Sequence, residues 1–146
     1  MKACLGLAAS LVFACGAMAQ SVVLTAAHLE VATKVQVGVL PCELGQTVVL
    51  TADTSEMGVF NLQIGKLRYH VSPELTTTGA VRLEDKAAGV VWLQLANKSM
   101  LMNQKLGRRI ADECKSPIQL LVAEEMRLRP PVSVLDDKAP TDVVKK

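Results

Sequence analysis

The residues best suited to contact another molecule form a short stretch rich in threonine and glycine, between two predicted strands. It reads Thr76-Thr77-Thr78-Gly79 and continues into Ala80. Such a stretch exposes hydroxyls and backbone amides with little bulk, and both groups form hydrogen bonds. A loop of this kind suits insertion into a narrow polar cleft. The composition is equally that of an ordinary turn between strands, and the sequence leaves both interpretations open.

Catalytic and metal chemistry find little support in the sequence. His28 and His70 are far apart, and His70 falls in a predicted strand, where a surface or half-buried histidine is expected. The chain has no nucleophile elbow with a glycine-rich oxyanion loop, no phosphate loop and no dinucleotide motif. The cysteines and histidines lack the spacing of metal ligands. We therefore expect no enzyme activity, no cofactor and no metal.

The charge pattern argues against a nucleic-acid partner. The formal net charge is +2, basic and acidic residues are interspersed, and aromatic residues make up 3% of the chain. Nucleic-acid binding normally needs a basic face or aromatic stacking groups. Neither is apparent, and the sequence gives equally little support for attraction to a membrane through a cationic run.

The first nineteen residues have the layout of a cleaved secretory signal. Lys2 supplies a positive start, residues 3–13 are uncharged and mostly apolar, and Ala17 and Ala19 form an A-x-A cleavage site. The apolar run is shorter than the roughly 20 residues that a membrane-spanning helix needs. We therefore predict cleavage after Ala19 and export to the periplasm.

A lipid-anchored form is the alternative. Residues 12–16 read Val-Phe-Ala-Cys-Gly and loosely resemble a lipoprotein cleavage box, in which Cys15 would carry the lipid. Phe13 is a poor fit at the middle position of that box. If Cys15 were lipidated, the protein would be an outer-membrane lipoprotein.

Two cysteines, Cys42 and Cys114, remain after the signal is removed. Thiols in one small exported domain usually pair, so we predict a disulfide, with two free buried cysteines as the alternative. A crosslink that closes so long a loop stabilises the fold by roughly 4 kcal/mol in the chain-entropy treatment.

Alternating apolar and polar residues predict a series of short strands separated by turn residues such as Gly65-Lys66. Ser72-Pro73 is expected to end one of them, because proline cannot donate to a ladder. The spacing predicts an all-β sandwich or barrel, and a closed barrel is favoured because it leaves no free edge. The predicted strands are residues 35–39, 47–51, 59–64, 67–71, 80–84, 90–95, 100–102 and 108–114.

The predicted barrel domain covers residues 34–116, with weaker signals on either side. Residues 20–33 form an N-terminal segment, either an edge strand or a tail. Residues 117–129 form a short helix or an extended segment, because Ser116-Pro117 is a fair helix start and Pro130-Pro131 a stop. Residues 130–146 are rich in Pro, Asp and Lys, and we expect a disordered, flexible tail.

Taken in order, several of these features resemble the C-type lysozyme inhibitors of Gram-negative envelopes, which occur in membrane-bound and periplasmic forms. That family has an early cysteine before a β-branched strand and a Ser-Gly-x-x-Tyr loop in mid-chain. A strand with a tryptophan, a turn with a lysine and a late cysteine follow. The resemblance covers about residues 35–115, and its counterparts here are Cys42, Thr78-Gly79, Trp92, Lys98-Ser99 and Cys114.

The resemblance implies a small eight-stranded antiparallel β-barrel closed by one disulfide, Cys42–Cys114. It also implies a C-type lysozyme as the protein partner. In that family a loop hydroxyl and a lysine enter the lysozyme cleft and contact its two catalytic carboxyl groups. Thr78 would take the hydroxyl role and Lys98 the ammonium role. The residues implied to face the partner are Thr77, Thr78, Gly79, Arg82, Lys98 and Ser99.

The chain departs from the family pattern at three points. Threonine replaces the serine. Leu83 stands near the expected tyrosine position, or Arg82 does if the loop is shifted by one residue. Lys98 is followed by Ser99 instead of glycine and lies several residues later than the lysine of the family. The same barrel could therefore serve as a non-catalytic structural or adaptor module of the envelope, which is the alternative function.

Overall fold

The computed structural model describes residues 23–130. The signal predicted for residues 1–19, including Cys15, lies outside this range, as does all but the first residue of the predicted tail. The described chain forms eight strands and two α-helices. In order they are α1 (Ala26–Thr33), β1 (Gly38–Pro41), β2 (Thr47–Ala52), β3 (Phe60–Ile64), β4 (Leu67–Glu74), β5 (Val81–Asp85), β6 (Val90–Gln94), β7 (Ser99–Asn103), β8 (Arg108–Cys114) and α2 (Pro117–Leu128).

The strands form an antiparallel meander in which each strand pairs with the next one along the chain. Two links join its first and last strands. The backbone N–H of Lys115 donates to the carbonyl of Pro41 at 3.0 Å, and a disulfide joins Cys42 to Cys114 with sulfurs 2.01 Å apart. The result is a nearly closed barrel. The predictions of an all-β antiparallel barrel and of this disulfide are therefore confirmed.

Period-two alternation fills the barrel interior. In β3, Phe60, Leu62 and Ile64 are buried while the residues between them are exposed, as expected for a strand with one face on a core. Trp92 is fully buried and pairs with Leu83 on one side and Leu101 on the other. A barrel of eight strands is narrow enough for side chains to fill it, so these residues form a packed core.

The expectation that Ser72-Pro73 ends a strand is wrong. β4 runs on to Glu74, and Pro73 pairs with Leu83 of β5. The pairing of β4 with β3 ends earlier, at Val71, so this part of β4 has a registered partner on one side only. Proline is tolerated there because its missing N–H leaves no gap in a central ladder.

The N-terminal segment is neither an edge strand nor a tail where it can be described. It forms α1, whose start is stabilised by the backbone N–H of Thr25, which donates to His28 Nδ1 at 3.2 Å. The helix lies against the β2–β3 connection, where Gly58 has φ +84° and a side chain would meet Leu29 at 2.6 Å. Hydrophobic periodicity missed α1 because the helix has no distinct apolar face and no fully buried residue.

Two further expectations are adjusted by the structure. The first strand begins at Gly38, because residues 35–37 lie before the β1–β2 ladder. The segment after the barrel is a helix and not an extended chain. Its start at Ser116-Pro117 follows from the side chain of Ser116, which accepts a hydrogen bond from the Gln119 N–H at 3.1 Å.

Removing the disulfide tests how much of the barrel's stability comes from its closure. The bond spans a sequence separation of 72 residues. The double variant Cys42→Ser, Cys114→Ser should therefore lose about 4 kcal/mol of unfolding free energy. Urea titration followed by tryptophan fluorescence measures this, with the disulfide-bonded parent as the reference and the parent under reducing agent as the matched comparison. A loss below about 1 kcal/mol would show that the barrel is held closed by its backbone hydrogen bonds and does not need the disulfide.

Candidate partner-binding site

Two connections meet at one end of the barrel, the β4–β5 loop (residues 75–80) and the β6–β7 turn (residues 95–98). Val81 pairs with Gln94, so the ladder places the start of β5 beside the end of β6. Thr78 and Gly79 consequently lie next to Leu95. Together with residues that precede β1, they line an open groove of about 410 Å³, which we call the Thr78 groove. Its lining includes Lys34, Gln36, Thr78, Gly79, Gln94 and Leu95.

The β4–β5 loop is braced from inside and exposed outside. The hydroxyl of Thr76 donates to the carbonyl of Ala80 at 2.8 Å, which holds the two ends of the loop together. Thr77, Thr78 and Gly79 are exposed, and within residues 23–130 the hydroxyls of Thr77 and Thr78 have no hydrogen-bond partner. Gly79 has φ +75°, which favours glycine. The loop thus presents free hydroxyls on a fixed backbone.

At the Thr78 groove, the side-chain amide of Gln94 forms the two hydrogen bonds to the backbone that a paired strand would otherwise form. Gln94 is 4% exposed; its Nε2 donates to the carbonyl of Gln36 at 2.7 Å, and its Oε1 accepts from the N–H of Gln36 at 2.9 Å. Both polar groups of Gln36's backbone are therefore satisfied although that residue lies outside the sheet. This pair fixes the chain before β1 against the end of β6.

A second buried glutamine joins α2 to the β6–β7 turn. Gln119 is fully buried, and its Nε2 donates to the carbonyl of Leu95 and to the hydroxyl of Ser99, both at 2.8 Å. Its Oε1 accepts from the N–H of Ser116 at 3.0 Å. Sequence reasoning missed this residue. The Ser-x-x-Gln spacing is a helix-start signal, but nothing in it indicates burial.

Lys98 lies at the same end of the barrel but faces β8. Its Nζ is 2.6 Å from a carboxylate oxygen of Glu113 and 3.4 Å from one of Asp112. The hydrogen bond to Glu113 raises the pKa of Lys98. Hydrogen bonds from Lys115 and then from Lys98 lower the pKa of Glu113. The ammonium of Lys98 is thus paired with two carboxylates, and about one quarter of the Lys98 side chain is exposed.

Asp112 is the more buried carboxylate of this cluster. Burial alone would raise its pKa, but the N–H of Glu113, the ammonium of Lys98 and the charge of Arg109 outweigh it, and the pKa of Asp112 is lowered. Arg109 also forms an ion pair with this carboxylate. The cluster therefore joins the β6–β7 turn to the end of β8 beside the disulfide.

The structure brings together some of the sequence-predicted site residues and separates others. Thr78 and Gly79 line one groove, and Thr77 lies beside them. Ser99 is fully buried under Gln119 and has no exposed surface. Arg82 pairs with Glu84 on the same strand, with about a quarter of its side chain exposed. Lys98 does not line the Thr78 groove.

The cation that does line the Thr78 groove is Lys34, which sequence reasoning missed. Its ammonium lies 2.9 Å from the carboxylate of Glu30, and both side chains are more than half exposed. Lys34 follows α1 and reaches the groove only because Gln36 is fixed to Gln94. No local sequence signal could have linked Lys34 to Thr78, because the two residues meet through long-range packing.

Comparison with models of protein families, with curated proteins and with solved structures finds no match. The functional argument therefore depends on the residues themselves. Between residues 23 and 130, no group of three or more His, Cys, Asp or Glu side chains is placed to hold a metal ion. In the same part of the chain, no helix combines the length and the apolar character needed to cross a membrane.

Replacing Gln119 tests whether α2 is fixed to the barrel by its buried amide. Gln119→Leu keeps a similar size but leaves the carbonyl of Leu95 and the hydroxyl of Ser99 without this donor. We expect a loss of about 2 kcal/mol in unfolding free energy, measured by urea titration. Gln104→Leu, at an exposed position in the β7–β8 turn, is the matched control and should change it by less than about 0.5 kcal/mol. Equal losses of unfolding free energy in the two variants would mean that the buried amide of Gln119 does not stabilise the fold.

Replacing Lys98 tests the electrostatics of the cluster. The folded-state pKa values of Asp112 and Glu113 are lowered, so their stabilising effect is complete above the unfolded values near 4 and disappears as pH falls through the folded values. Lys98→Met should raise both carboxyl pKa values and move the onset of acid unfolding to higher pH. Carboxyl NMR titration and circular dichroism against pH measure these changes. Arg127→Met, which breaks an exposed helix pair, is the control and should leave both carboxyl values unchanged.

Proposed function

We propose that the protein is an exported, non-catalytic inhibitor of C-type lysozyme that inserts its Thr77–Gly79 loop, with a basic residue, into the acidic cleft of the enzyme. The observation that carries the proposal is the exposed loop itself. Thr77 and Thr78 extend from one end of a rigid barrel, and the backbone behind them is tied by Thr76 to Ala80.

A threonine hydroxyl suits the chemistry of that cleft. Glycoside hydrolysis of this kind uses two carboxyl groups, of which one is protonated and the other ionised. A hydroxyl donates to a carboxylate and accepts from a carboxylic acid, so Thr78 can bond either member of the pair. Gly79 has open space where a side chain would lie, which lets the partner's backbone approach closely.

Basic residues near the loop would satisfy the negative charge of the cleft. Lys98 is the residue implied by the family resemblance, and its ammonium would have to exchange Glu113 for a carboxylate of the enzyme. Lys34 needs less rearrangement, because its ion pair with Glu30 is exposed and screened by solvent, and is therefore weak. We propose that Lys34 supports Thr78 from the groove, and that Lys98 acts from the neighbouring turn.

Rigidity supports an inhibitory role. A loop that is ordered before it binds loses little conformational entropy on binding. Here the disulfide, the Gln94–Gln36 pair and the buried Gln119 fix the elements on which the loop stands. The loop would therefore enter a cleft without first having to fold.

One observation favours the second candidate, an envelope adaptor module. Along its length, α2 exposes large apolar side chains, including Ile118, Leu121 and Leu128 at 61%, 74% and 65%. Neighbouring exposed apolar residues often mark a protein-interaction surface. Co-purification of an envelope protein that is lost in Leu121→Ser, Leu128→Ser, together with no effect on lysozyme, would favour this alternative.

The direct test is a lysis assay with the exported protein and several C-type lysozymes. The proposal expects Thr78→Val to weaken inhibition about tenfold, because the isosteric change removes one hydrogen bond to a charged group. Lys98→Ala should also weaken it. Thr51→Val, at an exposed position on β2, is the matched control and should inhibit like the parent. No inhibition by the parent at high molar excess would rule the proposal out.

The predicted localisation has a separate readout. Mass spectrometry of the mature N-terminus distinguishes the two forms predicted from the sequence. A free Gln20 would indicate cleavage after Ala19 and a periplasmic protein, whereas a lipidated Cys15 would indicate an outer-membrane lipoprotein.

A further inference from the structure

Cations without a carboxylate partner gather at the end of the barrel opposite the Thr78 groove. Within residues 23–130, most lysines and arginines lie within 4.0 Å of an Asp or Glu oxygen. Those that do not are all in or beside two turns at the same end of the barrel, β3–β4 and β7–β8. They are Lys66, Arg68, Lys105 and Arg108.

The same end exposes large apolar side chains at its tips. Leu67 follows Lys66 and is 52% exposed, and Leu106 follows Lys105 and is 61% exposed. Leu44, in the β1–β2 connection, is 91% exposed. Its φ is +55°, a left-handed conformation that is uncommon for leucine. A turn that holds leucine out into solvent in an unfavourable backbone conformation suggests a role for that side chain outside the barrel.

The meander topology explains why these features share one end. In an antiparallel meander, alternate connections lie at the same end, so the β1–β2, β3–β4, β5–β6 and β7–β8 connections share one end while the β4–β5 loop lies opposite. An open groove of about 500 Å³ joins two of these connections to β8. Ile64, Leu67 and Ile110 supply apolar side chains to it.

We propose that this end of the barrel docks on an anionic lipid bilayer, with Leu44, Leu67 and Leu106 entering the interface and the four cations facing the headgroups. Apolar tips flanked by lysine and arginine suit that environment, because burial of apolar area and attraction to anionic lipids add together. Each cation near such a surface strengthens binding about fivefold. Glu43 is the exposed carboxylate at this end and opposes the attraction.

A lipid surface fits these observations better than other occupants. A soluble polyanion would use the cations and leave the leucines in water. A second copy docked by the same surface would place like charges opposite one another. Docking at this end would leave the Thr78 groove facing away from the membrane, but the inference does not depend on the proposed inhibition of lysozyme.

The test is sedimentation of the exported full chain with vesicles at two salt concentrations. We expect binding to phosphatidylcholine vesicles that contain 30% phosphatidylglycerol, weaker binding at 0.5 M than at 0.05 M NaCl, and little binding to phosphatidylcholine alone. Lys66→Gln, Arg68→Gln should reduce the partition coefficient about 25-fold. Leu67→Ser, Leu106→Ser should also reduce it, and Glu43→Gln should increase it about fivefold.

Matched variants show whether vesicle binding depends on this surface or only on the net charge of the protein. Arg127→Gln, Arg129→Gln removes two cations from α2, where both are paired with carboxylates. It should leave vesicle binding within twofold of the parent, with circular dichroism confirming that every variant is folded. Equal losses in the two charge variants, or no dependence on Leu67 and Leu106, would overturn the proposal. So would equal binding to neutral vesicles.

Discussion

The barrel depends on the seam between β1 and β8. β1 is only four residues long, so it offers few ladder bonds to the last strand. The seam is completed by the Lys115–Pro41 hydrogen bond and by the disulfide between Cys42, which follows Pro41, and Cys114, which precedes Lys115. Without this closure, β1 and β8 would be free edges, and the interior around Trp92 would lose part of its wall. The turns at both ends are connections of this single, nearly closed meander.

Buried polar side chains fix the segments that lie outside the strand pairing. Gln94 pairs with the backbone of Gln36, and Gln119 bonds the β6–β7 turn while it starts α2. These amides lie where regular strand pairing has ended, so they satisfy backbone groups that would otherwise be buried without partners. The Thr78 loop consequently rests on a frame held by side chains as well as by strands. The proposed binding role of the loop depends on this rigid support.

The two ends of the barrel differ in chemistry. At one end, hydroxyls and a groove lie among cations that are paired with carboxylates. At the other, exposed leucines are flanked by cations that have no carboxylate partner among residues 23–130. The difference does not come from net charge, which is only +2 for the whole chain. It arises because successive connections of a meander lie at opposite ends, so residues far apart in sequence, such as Lys66 and Lys105, come to lie at the same end.

Alternation, turn residues and cysteine chemistry predicted the number and approximate positions of the strands, the disulfide and the Thr78–Gly79 loop from the sequence, because these are local or nearly local signals. The sequence did not predict α1, whose apolar residues follow no clear helical periodicity. It also ended β4 too early. Pro73 is tolerated in β4 because β3 no longer pairs with β4 at that position, and local sequence does not show this. Only the tertiary structure placed Lys34 beside Thr78, buried Ser99 beneath Gln119 and gathered Lys66 and Lys105 at one end. Those relations depend on strand register and barrel closure, which bring together residues that no local pattern connects.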